Sequence, residues 1–289
     1  MDKQSVIKPI QPYFVMNTKK YYTEVYGKHG ISHFYTYIMD SADNQSEAVP
    51  DGSVDIVFEY DENHMNAHVC GTVLAHQSTF FQNGKTYFGV RFMPGECPAI
   101  LDSSLKELVN NQARLEPVLK SAELVEQMSE QKTFHNRIQK FLEIYERQYQ
   151  MRNEKNHPSE ILAAAMQSEI CEKKGVITMA DLEECTGYST RYLNKVFTAE
   201  MGIGPKVFGK IIQFQVTLKE LNSMENSNSK LTDVAAELGY YDQSQLIHSF
   251  RKYANITPKE YRKLIQVKEY KKHLIKTNCF TSTDFYNFN

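Results

Sequence analysis

Gly239–Arg262 reads GYYDQSQLIHSFRKYANITPKEYR, and its punctuation decides the C-terminal half of the chain. Gly239 suits the left-handed conformation that ends a helix. Asp242 stands where the next helix needs an N-cap, and Gln245 follows three residues later, within reach of a capping box. Leu246 and Phe250 lie four apart on one apolar stripe, leaving Gln243, Ser244, Ile247, His248 and Arg251 on the other faces. Thr257-Pro258-Lys259-Glu260 then opens a further helix, with Thr as cap, Pro in the first turn and Glu three residues on. A short amphipathic helix set on a tight turn, with hydrogen-bonding side chains facing outward, has the form of a helix-turn-helix recognition helix.

The pattern occurs twice. Gly187-Tyr188 matches Gly239-Tyr240 at an offset of 52 residues. One extra residue then enters the second copy. Leu193, Phe197, Ile203 and Pro205 match Leu246, Phe250, Ile256 and Pro258 at an offset of 53, and Phe208 falls opposite Tyr261. Such self-similarity marks one supersecondary unit used twice. Between the copies, Lys206 to Met224 has no proline and a helical rhythm at Val207, Ile211, Phe214, Leu218 and Leu221. The spacing predicts a continuous helix holding the two units at a set separation, with a polar break at Met224–Ser229.

Residues 159–265 resemble the double helix-turn-helix DNA-binding domain of the AraC/XylS transcription regulators. The resemblance rests on Gly239-Tyr240, Asp242-Gln243-Ser244, Phe250-Arg251, Thr257-Pro258 and Tyr261-Arg262, in that order. His248 departs from the arginine usual in the family, Leu246 from an aromatic, and Glu183 from a small alanine. A glutamate at that helix crossing is expected to disturb the seating of the first unit.

Net charge is −2, which alone argues against a nucleic-acid binder. Residues 1–156 carry −4 and residues 157–272 carry +2, a contrast in the right direction but small. Affinity for DNA must therefore rest on local cations. Thr190, Arg191, Asn194 and Lys195 in the first unit, and Gln243, Ser244, Gln245 and His248 in the second, are the candidate base contacts. Arg and Lys reach guanine acceptors; Asn and Gln can pair adenine bidentately. Lys206, Arg251, Lys252 and Lys259 are the candidate phosphate contacts.

The first hundred residues read as β-structure. Tyr13-Phe14, Tyr21-Tyr22 and Tyr26 suggest an opening strand pair. Strands follow at His33–Met39, Val54–Tyr60 and His68–Leu74. Gln82-Asn83-Gly84-Lys85, between Phe80-Phe81 and Tyr87-Phe88, signals a hairpin. Close-spaced strands suggest a small barrel or sandwich. Pro50-Asp51-Gly52 and Gly89–Gly95 resemble a cupin-like N-terminal domain found on some of these regulators. Aromatic strand residues Phe34, Tyr37, Ile56, Phe58, Phe81, Tyr87 and Phe92 are candidates to line an effector pocket, against the plainer alternative that they are core. His64, His68 and His76 with Cys70 do not converge on a strand-and-loop stretch, so no metal site is expected.

From Ile100 the pattern turns helical: a short helix at Leu105–Val109, another over Leu115–Met128, and a longer one from Phe134. Ile138, Phe141, Leu142 and Tyr145 on the last could pack inward or form a dimer seam. The polar stretch from Arg147 to Pro158 suggests the interdomain linker, with Ser159 capping the helix that follows and Gly175 ending it. Lys268–Lys276 is expected to continue the last helix, before a frayed tail.

The expected class is α+β. A small cupin-like β-barrel over 1–99, a helical dimerisation or packing segment over 100–150 and a linker at 151–158 precede an all-α domain over 159–265. That domain comprises two helix-turn-helix units joined by a linker helix, and a tail occupies 266–289. Five scattered cysteines without a CxxC pair suit a reducing cytoplasm, and no apolar run reaches membrane-spanning length. The resemblance implies a homodimeric, cytoplasmic, non-enzymatic activator. It would bind double-stranded DNA and act with RNA polymerase, without a cofactor and under a small-molecule effector. A cupin-like metal- or sugar-handling barrel enzyme fused to a DNA-binding module remains the alternative.

Overall fold

The computed structural model describes residues 7–39, 45–62, 64–120, 123–153, 157–224 and 230–278. The N-terminal half opens with helix α1 (Pro12–Met16). The strands are β1 (Tyr21–Lys28), β2 (Ile31–Ile38), β3 (Gln45–Ala48), β4 (Asp55–Tyr60), β5 (Met65–Cys70), β6 (Gln77–Phe80) and β7 (Thr86–Phe92). Helix α2 (Leu105–Leu108) and strand β8 (Gln112–Arg114) follow. Two sheets result. The larger runs β8-β5-β4-β7-β2-β1 and ends on a strand from the far end of the chain; β3 and β6 form a separate two-stranded ribbon.

Alternation along the strands gives the large sheet two unlike faces. Phe34, Ile56, Phe58, Phe88, Val90 and Phe92 share one face and are fully buried. Helices α3 (Glu123–Ser129) and α4 (Phe134–Asn153) follow β8, and α4 lies across that face. The Phe141 ring meets Phe34 at 6.0 Å and Phe58 at 6.5 Å, and Tyr145 meets Phe92 at 5.5 Å. The opposite face carries His33, Tyr35, Tyr37, Asp55, Val57, Glu59, Tyr87 and Arg91. It bounds a cavity shared with the ribbon. The Tyr35 ring crosses directly over Gly89, where a Cβ would sit 2.0 Å from ring carbon.

Several local expectations change. Tyr13-Phe14 lies in α1, not in a strand, because Pro12 starts a helical turn that buries Tyr13. Asn83-Gly84 does turn the chain, but β6 pairs with β3 whereas β7 pairs with β2 and β4, so the turn passes between sheets and no hairpin forms. The Gly84 amide donates to the Met39 carbonyl, which anchors the turn to the end of β2. Leu115–Met128 is a 3-10 turn (Glu116–Val118) followed by α3, not one helix. Helix α4 continues to Asn153, so Arg147–Asn153 is helical; the rest of the expected linker, 154–156, lies outside the described residues. Ile138, Phe141, Leu142 and Tyr145 are at most 9% exposed within the single chain and pack on its own sheet, the inward of the two alternatives.

The C-terminal half comprises α5 (Pro158–Glu172), α6 (Met179–Thr186), α7 (Thr190–Met201), α8 (Pro205–Ser223), α9 (Leu231–Glu237), α10 (Gln243–Ala254), α11 (Pro258–Val267) and α12 (Tyr270–His273). The linker helix expected after Lys206 is α8. Ser159 does not cap α5; His157 holds that position and its amide donates to Glu160 at 3.0 Å. The polar break at 225–229 lies outside the described residues. Helix α11 ends at Val267 and the tail turns back. Strand β9 (Leu274–Lys276) adds in parallel to β1, pairing Tyr21 with Leu274 and Thr23 with Lys276. Beyond it, the Thr277 amide donates to the Thr23 carbonyl at 2.9 Å and its hydroxyl to Glu24 at 2.5 Å. The frayed tail expected at 279–289 lies outside the described residues.

The two halves share their cores. One apolar cluster joins the α4 face of the sheet to α5, α6, α7 and the start of α8, as far as Ile212. A second joins α1, Tyr35, Tyr37 and Tyr87 to α8 from Phe214 onward and to α9–α12. Helix α8 is therefore buried all round between Ile211 and Leu218 rather than on one stripe, while Val207 is 43% exposed. Among the described residues no helix is long and apolar enough to cross a membrane.

Phe141→Ala is expected to lower the unfolding free energy by about 3–5 kcal/mol through the cavity it leaves. Urea unfolding of wild type and variant checks this; an unchanged midpoint would overturn its place in the core.

Candidate nucleic-acid interface

Each repeat is built by local capping. Thr178 and Asp181 form a reciprocal box at the start of α6: the Asp181 amide donates to Thr178 Oγ1 at 3.1 Å, and the Thr178 amide to Asp181 Oδ2 at 2.8 Å. In the second repeat, Asp242 Oδ1 accepts from the Gln245 amide at 2.7 Å, while Gln245 Oε1 accepts from the Tyr241 amide at 2.7 Å. Gly239 adopts φ +70° at the preceding turn. Thr257 and Glu260 close the same kind of box at α11, with amide donors at 3.2 and 2.7 Å.

The inward faces are alike. Leu193, Val196, Phe197 and Met201 anchor α7, and Leu246, Phe250, Tyr253 and Ala254 anchor α10. Phe197 packs on Phe208 at 5.6 Å, and Phe250 on Tyr261 at 5.5 Å, as the matched positions of the repeat require. The Tyr261 hydroxyl donates to Asn222 Oδ1 at 2.7 Å, tying α11 to the end of α8.

The first repeat differs at its cap. Ser189 occupies the N-cap position of α7 but makes no capping hydrogen bond with its side chain. The Thr190 amide donates to Glu183 Oε1 instead. The glutamate expected to disturb the helix crossing thus supplies the cap that Ser189 does not. Those hydrogen bonds from Thr190 hold the Glu183 carboxyl below the usual carboxylate range.

Outward, Arg191, Lys195, Ser244, Gln245 and His248 are exposed, and Thr190, Asn194 and Gln243 are half-buried. Asn194 Nδ2 donates to the Thr190 carbonyl at 2.9 Å, so its amide is partly engaged by its own helix. Gln245 is likewise committed to the Tyr241 amide. Lys206, Arg251, Lys252 and Lys259 are exposed. Among the described residues none of these six cations, Arg191 and Lys195 included, makes a salt bridge. Three exposed tyrosines flank the same helices without having been singled out from sequence. Tyr241 is 93% exposed beside the cap of α10, and Tyr188 lies 5.1 Å from Tyr192 at the start of α7. The signal was present: Tyr241 is the extra residue of the second repeat, and it bears a large ring.

The cavity in the β-domain divides the candidate effector residues. Tyr37, Phe81 and Tyr87 line it; Phe34, Ile56, Phe58 and Phe92 point to the other face of the sheet and are core. Among the described residues no group of three or more His, Cys, Asp or Glu side chains could hold a metal ion. His64 sits by Asp61 at 3.8 Å and His76 by Glu47 at 3.3 Å, on separate elements.

Residues 182–264 match the family profile described as a helix-turn-helix domain, and residues 28–114 match a domain of unknown function, DUF6597. A segment of 86 residues is 26% identical to uncharacterized HTH-type transcriptional regulators of Staphylococcus aureus strains MSSA476 and N315. That segment is 30% of this chain, and it spans only 11% of the length of those relatives. The C-terminal domain of AraT, a response regulator from Geobacillus stearothermophilus, aligns at 17% identity over 43% of this chain and 94% of its own, with TM-score 0.33. ToxT from Vibrio cholerae aligns at 12% identity over 80% of this chain and 97% of its own, with TM-score 0.41.

Glu183→Ala is expected to lower the thermal midpoint and to speed hydrogen exchange at the amides of residues 190–192. Because the folded carboxyl is depressed, its contribution is present above the unfolded carboxylate pKa and is lost as pH falls through the folded value. A midpoint difference between wild type and variant that shrinks on acidification checks the assignment.

Proposed function

We propose that this chain, whose C-terminal region is an AraC-type helix-turn-helix domain, is a sequence-specific transcription activator that lays α7 and α10 into successive major grooves of one duplex. The observation that carries the reading is the duplicated presentation. In both repeats an apolar face is spent on the core, and the opposite face offers hydrogen-bonding side chains and cations free of salt bridges. Helix α8 has 19 residues and so spans roughly 28 Å at 1.5 Å per residue, a strut of the same order as the ~34 Å turn of DNA.

Within this reading Arg191 and Gln243 are the principal base contacts, to guanine and adenine acceptors respectively. Lys206, Arg251, Lys252 and Lys259 meet phosphates and set register. Exposed tyrosine hydroxyls at 188 and 241 suit the same task at the groove edges. As the chain carries a net negative charge, binding relies on this local set and weakens steeply with salt. The protein acts in the cytoplasm with RNA polymerase, and the β-domain cavity receives a small-molecule effector.

Duplexes recovered from a random pool by the purified chain provide the ligand for the test. Arg191→Ala and Gln243→Ala are each expected to weaken binding to the recovered duplex by about 1–3 kcal/mol, with unchanged circular dichroism. Arg251→Ala is expected to reduce the slope of log affinity against log salt by about 1, across sequences. Equal affinity of wild type, Arg191→Ala and Gln243→Ala would remove the two-groove reading.

A further inference from the structure

The cavity between the sheet and the ribbon encloses about 230 Å3, at or below the lower end of small-molecule pockets. Three carboxylates line it, Asp51, Asp55 and Glu59, with Arg91 as the cation among them. Arg91 is committed to Asp55: its Nε lies 2.8 Å from Oδ1, and Nη2 pairs with Oδ2. Glu59 is likewise matched, by Lys85 Nζ at 2.6 Å and the Tyr87 hydroxyl at 3.1 Å. Asp51 is left in excess. It is 4% exposed, and Arg91 approaches it only to 3.8 Å. Its hydrogen-bond donors are neutral: Gln11 Nε2 at 2.9 Å and the Ser53 amide at 3.0 Å. Burial pushes its carboxyl up to about 6, against the pull of Arg91. A buried carboxylate without a dedicated counter-charge is costly to hold ionised.

An independent observation points the same way. Ser53 lines this cavity, is 4% exposed, and its hydroxyl has no hydrogen-bond partner among the described residues. Buried hydroxyls are ordinarily paired. Aromatic rings form part of the remaining lining, beside neutral amides such as Gln77 and Asn111: Tyr37 and Tyr87 stack at 5.2 Å, and Phe81 meets Tyr87 edge-on at 5.3 Å. Ring faces attract cations, whereas an anion would meet three carboxylates.

The wall that carries Asp51 is also the seat of α8. The Gln11 side chain donates to the Val49 carbonyl at 2.7 Å and accepts from the Val49 amide at 3.0 Å, besides holding Asp51. On the far side of the same two segments, Gln215 of α8 donates to the carbonyls of Pro50 at 2.7 Å and Ile10 at 3.2 Å. It also accepts from the Ile10 amide at 2.7 Å. Gln215 is 1% exposed.

Resting on the reading of the chain as an effector-controlled regulator, we propose that this cavity binds a small organic cation, a primary amine. Its ammonium lies against Asp51 and Ser53, its body lies on the tyrosine rings, and its occupancy reaches α8 through Gln11, Pro50 and Gln215. A ligand so placed biases the DNA-binding half only through its preference for one arrangement of that wall, and bound DNA must bias the amine site equally.

The test uses the full chain with propylamine, benzylamine and phenethylamine, beside their isosteric alcohols and carboxylates. At least one amine is expected to raise the thermal midpoint by about 5 °C at a hundredfold excess over its Kd, with no shift from its alcohol or carboxylate. Asp51→Asn is expected to weaken that amine tenfold or more. Ser53→Ala, which removes only an unpartnered oxygen and so spares the fold, is expected to weaken it about threefold or more. The amine is also expected to change hydrogen exchange across residues 211–218 and to shift affinity for the recovered duplex, and Gln215→Met to abolish the second effect. No shift from any amine, an equal shift from an alcohol or carboxylate, or unchanged affinity in Ser53→Ala overturns the site. Unaltered exchange at 211–218 overturns the coupling. Duplex affinity without amine is measured separately: amine binding by a chain that binds no duplex overturns the regulator reading while leaving the site. Duplex binding by a chain that ignores every amine does the reverse.

Discussion

Helix α8 is enclosed on all sides between Ile211 and Leu218, and the hydrogen bonds of its three buried polar side chains constrain everything packed around it. Gln213, Gln215 and Thr217 are each at most 2% exposed. Gln213 donates to the Leu238 carbonyl at 2.7 Å, which holds the end of α9. Thr217 meets the Tyr240 hydroxyl at 3.0 Å, at the turn before α10. Gln215 reaches the opposite way, to Ile10 and Pro50. A buried polar group stripped of its partner costs about 1–3 kcal/mol. Three such groups in five residues leave α8 few alternative seats, and the repeats on either side take their places from it.

That arrangement makes the helix-turn-helix half something other than a free module on a tether. Each helix-turn-helix unit shares a hydrophobic cluster with part of the β-domain. The chain end adds a strand to the β-sheet, and the Tyr13 hydroxyl donates to the Ala254 carbonyl at 3.2 Å at the close of α10. The segments around residues 10 and 50 therefore do two things at once: they form a wall of the cavity and the bed of the linker helix. Changes at one surface of that wall have a short physical route to the other.

Helices α7 and α10 were readable because their determinants are local. Caps at Asp242 and Thr257 close hydrogen bonds within three residues, and the matched Leu-Phe pairs 193/197 and 246/250 each mark one helical face. Glu183 was misread because its position suggested a packing problem, whereas a long side chain at a partly exposed crossing can reach the free amide of Thr190. The β-domain was harder. Neighbouring positions such as Phe34 and Tyr35 are both buried, one beneath α4 and one beside the cavity, so alternation does not say which face holds a ligand. Phe34, Ile56, Phe58 and Phe92 were misplaced for that reason. The α4 stripe met the same ambiguity: an apolar seam looks identical whether it covers the chain's own sheet or another subunit.

Sequence alone determined the duplicated unit, its turns, two of its caps, the uninterrupted helix between the copies, and which side chains of α7 and α10 face outward. All of these follow from interactions between residues a few positions apart, which a short window contains entire. Tertiary structure decided which strands share a sheet across Asn83-Gly84, where the tail docks, what α4 covers, and which buried carboxylate lacks a dedicated counter-charge. Those outcomes depend on partners tens to hundreds of residues away, as Gln215 does on Pro50. Many distant groups could satisfy a given donor or apolar face, and only the packed chain selects among them.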